Sequence, residues 1–426
     1  MTTEQKQHIR SKARLYIQQQ LEQNRQEWQA GWIEEISSNF IGCCNHIRQQ
    51  QLEGRKGEIH YITYSLLRTG LLDGHPAYLI QAADERGVLD PNPVEYEYEG
   101  NCIFQYWHQL LERIIQEAAS AGWKISELEL DEIRLEEADY FHQVMMMILR
   151  KAVRHAMNRP AYMELQRALQ LEIRAGEYLD QNTYLYKEDR NEMNAAALHA
   201  WLAEKQPYAY GYQDIHDAEL SLGDYSEMDF RYTTFRRVHA KVCRLSFGVL
   251  VGTVWQNCTL DGVTLALSMI HGADFSRCVL RNCTLDGVMG AAGLAELDWE
   301  MLGFDSVQFT GADLSGSTLQ KASLYRACFR DSVLEQTDFT DADLREADFG
   351  GAIMKDAVLQ GVDLSGACLD HCDLTGVSFV GANLLGASLN GAIVDQTDFT
   401  GAIISPDQLN RTVMRDHLAG KGGRLQ

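Results

Sequence analysis

The chain has 426 residues, 45% hydrophobic and 23% charged, and its 60 acids against 38 bases give a formal net charge of -22. That length suits two or three domains, each with its own core, and the acidic balance excludes general nucleic-acid binding and docking on anionic membrane. No apolar run reaches the ~20 residues that span a bilayer, "MTTEQKQHIRSK" lacks the apolar centre of a signal peptide, and the ten cysteines follow neither disulfide nor zinc spacing, so a reducing cytoplasm is the expected setting.

In chain order, helical patterns come first, over 3–29 and 31–52. The stretch "GEIHYITYSLLRTGLLDGHPAYLIQAADERG" then alternates Ile59, Tyr61 and Thr63 with His60, Ile62 and Tyr64, and "LLDGH" supplies a turn. A β-hairpin or small sheet is expected at 57–83. Further helices are expected over 102–121, 134–158, 160–177 and 192–204, making residues 1–205 a mostly helical α+β domain. Its chemistry is sparse. Cys43, Cys44 and His46 lack a second ligand pair and read as helix residues. His142 and His155 stand too far apart for one metal, and Met145–Met147 read as core. Arg150, Lys151, Arg154 and Arg159 read as a solvated helix face or as partners for the chain's own acids. No phosphate-binding loop, dinucleotide fingerprint, HExxH or GxSxG is present. No catalytic residue, cofactor or metal is assigned, and the chain is read as a non-enzyme.

From Phe304 to Ile404 every fifth residue is apolar, 21 positions in succession. Neither a helix nor a pleated strand has that period. From Ala312 onward a small or thin residue stands two places before each centre, and it is Ala in twelve of nineteen cases; Asp or Asn often follows it, as at Asp313, Asp343, Asp363, Asp373 and Asn383. A second block, Leu220 to Leu285, repeats in a different phase, with centres such as Phe230, Phe235, Trp255 and Phe275.

These residues resemble the pentapeptide-repeat family, whose unit is Ala, then Asp or Asn, then Leu or Phe, then two variable residues. The resemblance covers roughly 218–405. It implies an all-β right-handed quadrilateral β-helix in which four pentapeptides make one coil, the central and small residues pointing inward. A square coil is narrow, so a large inward residue must alternate with a small one, and coils stack at ~4.8 Å. The β-helix is placed at 206–405. Twenty residues per coil puts Phe235, Trp255 and Phe275 in one column and Phe309, Phe329 and Phe349 in another. It also stacks Cys258 on Cys278 as apolar filler. Leu285 to Phe304 is 19 residues, one short of a coil, so a phase break at 286–303 is expected as a distorted coil or a bulging helix. "SPDQLNRTVMRDHLAG", with Ser405 as N-cap, Pro406 first in the helix and Gly420 as the stop, reads as a capping helix within 406–426.

Function then rests on the outward positions. Residues 218–405 hold 25 acids and 12 bases, and 356–405 hold six acids and no base. Asp338, Asp341, Asp343, Glu346 and Asp348 crowd one coil. Val249 under Met269, beside Val251, forms one outward apolar patch, expected to be covered by the chain's own N-terminal domain; Val333 under Ile353, with Val358 on the adjoining side, forms a second, open to an external partner or to self-association. Such patches mark partners, so the first expectation is a protein-binding scaffold or adaptor that uses the rod together with the N-terminal domain. The resemblance implies an alternative, a DNA mimic that binds and protects or inhibits a bacterial type II topoisomerase (gyrase or topoisomerase IV). It also implies a homodimer through the C-terminal end. A bacterial effector with an enzymatic N-terminal domain is a third class, without a catalytic constellation to support it.

Overall fold

The structure, a computed structural model, describes residues 2–23, 25–178, 182–190, 195–292 and 305–413. It divides into two compact units, Met1–Glu192 and Met193–Gln426.

In the first unit α1 (Thr3–Gln23) and α2 (Arg25–Leu52) precede β1 (Ile59–Leu66). A short α3 (Arg68–Leu72) leads to β2 (Ala77–Ala83) and β3 (Val94–Glu99). Then come α4 (Asn101–Ser120), α5 (Glu127–Ala156), the single turn α6 (Pro160–Met163), β4 (Arg167–Glu177) and β5 (Asn182–Asp189). The strands form one sheet in the order β3-β2-β1-β4-β5, antiparallel except at β1–β4. A parallel pair needs a long crossover, and α4 and α5 provide it. Ile9, Ala13, Ile17 and Leu21 recur every fourth residue of α1 and are buried, while Arg10 and Arg14 reach the fully buried Glu137 of α5 at 2.5 and 2.6 Å.

The strands at 59–66 and 77–83 pair as expected, Tyr61 opposite Ala83. The helix expected over 160–177 does not form: only Pro160–Met163 is helical, and Arg167–Glu177 is a strand. Its Ala, Leu, Gln, Glu and Arg favour a helix one by one. Leu171, Ile173 and Ala175, however, alternate inward with period two, and the segment is paired by β1 on one side and β5 on the other. Tertiary pairing overrides a weak local preference. The helix expected from 134 begins earlier, at Glu127, because Ser126 and Glu129 form a capping box. Arg150 is not solvated: it is buried, and its Nε donates to the Tyr184 carbonyl at 3.3 Å. Cys43 and Cys44 lie buried in α2, and burial pushes the Cys43 thiol up to about 12, far from a ligand's thiolate.

The second unit starts earlier than the expected 206. Helix α7 (Ala195–Ala203) belongs to it: Leu198 and Leu202 are buried in the same core as the first coils. Tyr210 donates to the Trp201 carbonyl at 2.9 Å, and its ring meets that of Phe230 at 5.8 Å and a 43° tilt. An apolar helix thus covers the open first coil, a solenoid's aggregation-prone edge. Beyond it, residues 20 apart pair in parallel along four ladders. One holds Asp313, Val333, Ile353 and Asp373; the next Thr318, Asp338, Val358 and Ser378; the third Ser323, Asp343, Asp363 and Asn383; the fourth Cys328, Asp348, Cys368 and Ser388. Four ladders are the four sides of a square coil. At each corner a turn closes, as where the Ala342 N–H donates to the Phe339 carbonyl at 2.9 Å. The third residue of that turn, Asp341, has φ +58°, as a type II turn requires.

The phase break is an insertion between two sides, not a shortened coil. Asp274 pairs with Gln308, Val279 with Asp313, Thr284 with Thr318 and Met289 with Ser323. These partners lie 34 residues apart instead of 20, so 14 residues are added to the coil here. Residues 293–304, Phe304 among them, lie outside the described residues. The two expected aromatic columns are therefore one: Phe235, Trp255, Phe275, Phe309, Phe329 and Phe349 stack in succession, with Phe275 and Phe309 at 5.3 Å and 7° across the break. Deleting residues 293–306 is expected to leave the far-ultraviolet circular dichroism and the melting temperature nearly unchanged, because Val307 would follow Ala292 in the repeat's own register. A molten product would show that the insertion holds the coil together.

At the C-terminal end α8 (Pro406–Leu409) is a single turn. The expected helix through Gly420 ends there, because the chain turns back and Val413 pairs with Ile393, extending a ladder. Gln408 Nε2 donates to the Leu384 and Ala387 carbonyls, each at 2.7 Å. Leu418 and Gly420 lie outside the described residues.

Candidate protein-interaction surface

The repeat's outward Asp is first a turn residue. The Oδ1 atoms of Asp338, Asp343, Asp348, Asp363 and Asp373 each accept the backbone N–H two residues ahead, at 2.9 to 3.3 Å. Asp side chains make this local bond readily. These five acids thus lie on the sides of the coil and are held by local hydrogen bonds to the turn that follows.

Most of the crowded acids are also engaged with neighbours. Asp343 binds the Arg345 guanidinium at 2.8 Å, Asp348 meets Arg330 at 3.0 Å, and Glu346 meets Arg326 at 2.7 Å. Asp338 accepts from Thr340 Oγ1 at 2.6 Å and Gln320 Nε2 at 2.7 Å. Burial alone would raise the Asp343 carboxyl, but the Arg345 guanidinium and N–H outweigh it and hold its pKa below the ordinary value. At Asp338 burial is likewise outweighed, by Thr340 and Gln320. Of the five, only the Asp341 side chain has neither hydrogen bond nor ion pair among the described residues.

Nor do the eight candidate residues share one face. Val333 and Ile353 lie on one side, Asp338 and Val358 on the next, Asp343 on the third and Asp348 on the fourth. Asp341 and Glu346 occupy corners, at φ +58° and +55°. The acids form a belt around one coil. Val333, Ile353, Asp338 and Val358 do come together, on two adjoining sides. Ile353 is 39% exposed, and Val333 and Val358 are half-buried. In the other patch Val249 and Met269 pair in one ladder and are half-buried, whereas Val251 is buried and offers no surface.

Sequence reasoning missed the most exposed apolar residues of the first coils: Leu222, Val242, Phe247 and Leu267. All four occupy corners with φ between +51° and +60°. The signal was present in the sequence as large apolar residues two places after a centre, where later coils carry Gly or a polar residue.

Among the described residues no group of three His, Cys, Asp or Glu is placed to hold a metal, and no helix is long and apolar enough to cross a membrane. In the first unit the buried His142 takes part in a hydrogen bond between its Nδ1 and Tyr78 Oη at 2.8 Å, within a packed aromatic core.

Residues 243–287, 304–341, 337–376 and 368–405 match the family model "Pentapeptide repeats", in eight copies. No family model matches the N-terminal half, and no curated protein sequence matches the chain. Among solved structures, HetL from the cyanobacterium Nostoc sp. strain PCC 7120, a pentapeptide repeat protein involved in heterocyst differentiation regulation, is 24% identical over 50% of this chain and 93% of its own, with TM-score 0.33. A pentapeptide repeat protein of the Arabidopsis thaliana thylakoid lumen is 34% identical over 23% of this chain and 72% of its own, with TM-score 0.20. QnrB1, a plasmid-mediated fluoroquinolone resistance protein, is 18% identical over 46% of this chain and 96% of its own, with TM-score 0.27. At these TM-scores the assignment rests on the repeat and on the four-sided coil. The C-terminal region of this chain, from the first matched repeat at residue 243 to residue 405, belongs to the pentapeptide-repeat family.

Proposed function

We propose that this chain is a non-enzymatic protein-binding scaffold that uses the β-helix surface together with its N-terminal domain. The observation that carries the reading is the outward apolar pair Val333–Ile353 with Val358 around the corner, on a rod whose outward positions are otherwise polar over these coils. Water contact with such side chains is unfavourable by roughly 25 cal/mol per Å² of apolar surface, and a partner removes it. Asp338, on the same two sides, offers a carboxylate at the rim. The described residues of the N-terminal domain form a helix-and-sheet core, which suits a docking module.

The test is co-purification from the native cell. A partner retained by the wild-type chain should be lost from a Val333→Asp/Ile353→Asp variant with unchanged circular dichroism; retention of the same partner ends this assignment of the surface. The DNA-mimic alternative draws on residues 356–405, where six acids face no base of their own segment. It requires that the chain alter gyrase supercoiling and that charge reversal at Asp338, Asp341 and Asp343 abolish the effect. Gyrase indifferent to the wild-type chain would remove it.

A further inference from the structure

The corners of the first coils break two rules at once. Leu222 is 81% exposed, Val242 55%, Phe247 57% and Leu267 49%. Their φ values are +60°, +51°, +57° and +59°. The left-handed region costs an L-residue roughly 1–2 kcal/mol, and for β-branched Val it is an outlier. The same two corner columns continue through Gly262, Asn282, Gly316 and Gln336, and through Gly287, Lys321, Asp341 and Gly361, residues suited to the turn or to water. Stability alone would place Gly or Asn at all of them. Large apolar side chains there oppose both the backbone and the solvent, which is how strained functional positions look.

The four form one surface. Val242 stands one coil above Leu222, the Leu222 N–H reaching the Lys241 carbonyl at 2.9 Å; Leu267 stands one coil above Phe247, whose N–H reaches the Ala266 carbonyl at 3.0 Å. Between these two corners runs the ladder Asp224–Arg244–Thr264. Arg231, Arg236, Arg237 and Arg281 each pair with an aspartate. Exposed Arg244 makes no ion pair among the described residues. The patch is therefore a hydrophobic rim around a guanidinium without an ion pair among the described residues, beside Asp224 of the same ladder, on coils (218–285) where seven bases outnumber six acids. Arg and aromatic side chains in such a setting are the usual anchors of an interface.

From this geometry we infer that these two corners and the side between them dock a segment of a partner protein that carries a carboxylate between apolar side chains. The carboxylate pairs with Arg244, and the flanking side chains cover Val242 with Leu222 on one corner and Phe247 with Leu267 on the other. The charge selects the occupant: an uncharged apolar segment would leave the guanidinium desolvated and unpaired. This surface is separate from the Val333–Ile353 pair, and either assignment can fail without the other.

The full chain is panned against a random peptide library displayed on phage, and enriched peptides are measured by fluorescence anisotropy. Enriched sequences should carry Asp or Glu flanked on both sides by Leu, Ile, Phe, Met or Trp. Arg244→Glu should weaken their binding by about tenfold or more, and Phe247→Asp should do likewise. Arg277→Glu, at an exposed arginine on another corner column, should leave binding unchanged. No enrichment, enrichment without a carboxylate, or equal loss in Arg277→Glu overturns the inference. So does sedimentation showing a dimer of this chain that Phe247→Asp dissolves. A second measurement needs no ligand. Val242→Asn and Leu267→Gly relieve positive φ, so they should keep or raise the melting temperature while losing the peptide. A clear fall in melting temperature would make these side chains structural and overturn the proposal.

Discussion

Phe329→Ala is expected to destabilise the β-helix by about 3–5 kcal/mol. Phe329 is fully buried, and its ring lies between Phe309, at 4.9 Å and 11°, and Phe349, at 4.8 Å and 3°. Phe339 meets it edge-on at 5.7 Å. Each side of the coil contributes only two inward residues, one of them small, so nothing nearby can swing in to fill the gap. Nor can the wall collapse: the Phe329 N–H is tied to the Asp348 carbonyl at 2.6 Å and its carbonyl to the Ser332 N–H at 3.2 Å. The loss also spreads along the rod, because each coil is stable chiefly through its neighbours. Guanidinium unfolding of Phe329→Ala should show a lowered midpoint and reduced cooperativity. Phe399→Ala, near the end of the same core and only partly buried, should cost distinctly less. Equal costs at the two positions would refute the continuous aromatic ladder as a source of stability.

Acidification from pH 6.5 to pH 4 should remove about 3 kcal/mol of stability through His142 alone. Burial lowers the His142 pKa to about 4, an effect that the Glu177 charge only partly offsets. Tyr78 Oη, 2.8 Å from Nδ1 and itself buried, fits a neutral ring that accepts its proton. In the unfolded chain the imidazole titrates near its ordinary value of about 6.5. As the pH falls through that value the unfolded state takes up a proton that the folded state refuses. Stability therefore declines across the window from about 6.5 to about 4, and below it this contribution is fully lost. His142→Gln keeps an acceptor for Tyr78 without a titratable ring. Its urea midpoint should fall less steeply than that of the wild type between pH 7 and pH 4. Parallel slopes for the two proteins would show that His142 takes up its proton as readily in the folded state as in the unfolded one.

Partner binding divides along the same lines as stability. Val333, Ile353 and Val358 were legible as outward and apolar because the five-residue period assigns inside and outside at every position. The belt of acids was legible as charge, but its engagement was not. Arg345 and Asp343 are two residues apart in the chain, yet Arg326–Glu346 and Arg330–Asp348 join across coils. Such pairs become visible only when the coil is closed. The corner residues Leu222, Val242, Phe247 and Leu267 were hidden for another reason. The repeat marks their position as variable, and only the backbone reveals that it is left-handed.

The sequence by itself determined the coil. Phe339, Leu344 and Phe349 with Ala342, Ala347 and Ala352 specify three sides, because a large and a small inward residue every five places fit a narrow square and no other regular structure. It likewise determined Asp343 and Asp348 as turn residues, since their hydrogen bonds span two residues. Tertiary structure decided whatever depends on counting through the whole chain or on pairing distant segments. It joined two aromatic columns across a 14-residue insertion. It drew Arg167–Glu177 into a strand between β1 and β5 against its local preference, and it set α7 on the first coil as a cap. A pentapeptide carries enough information to choose its own side of the square. Which side lies above which, and what is then left facing a partner, is a property of the assembled rod.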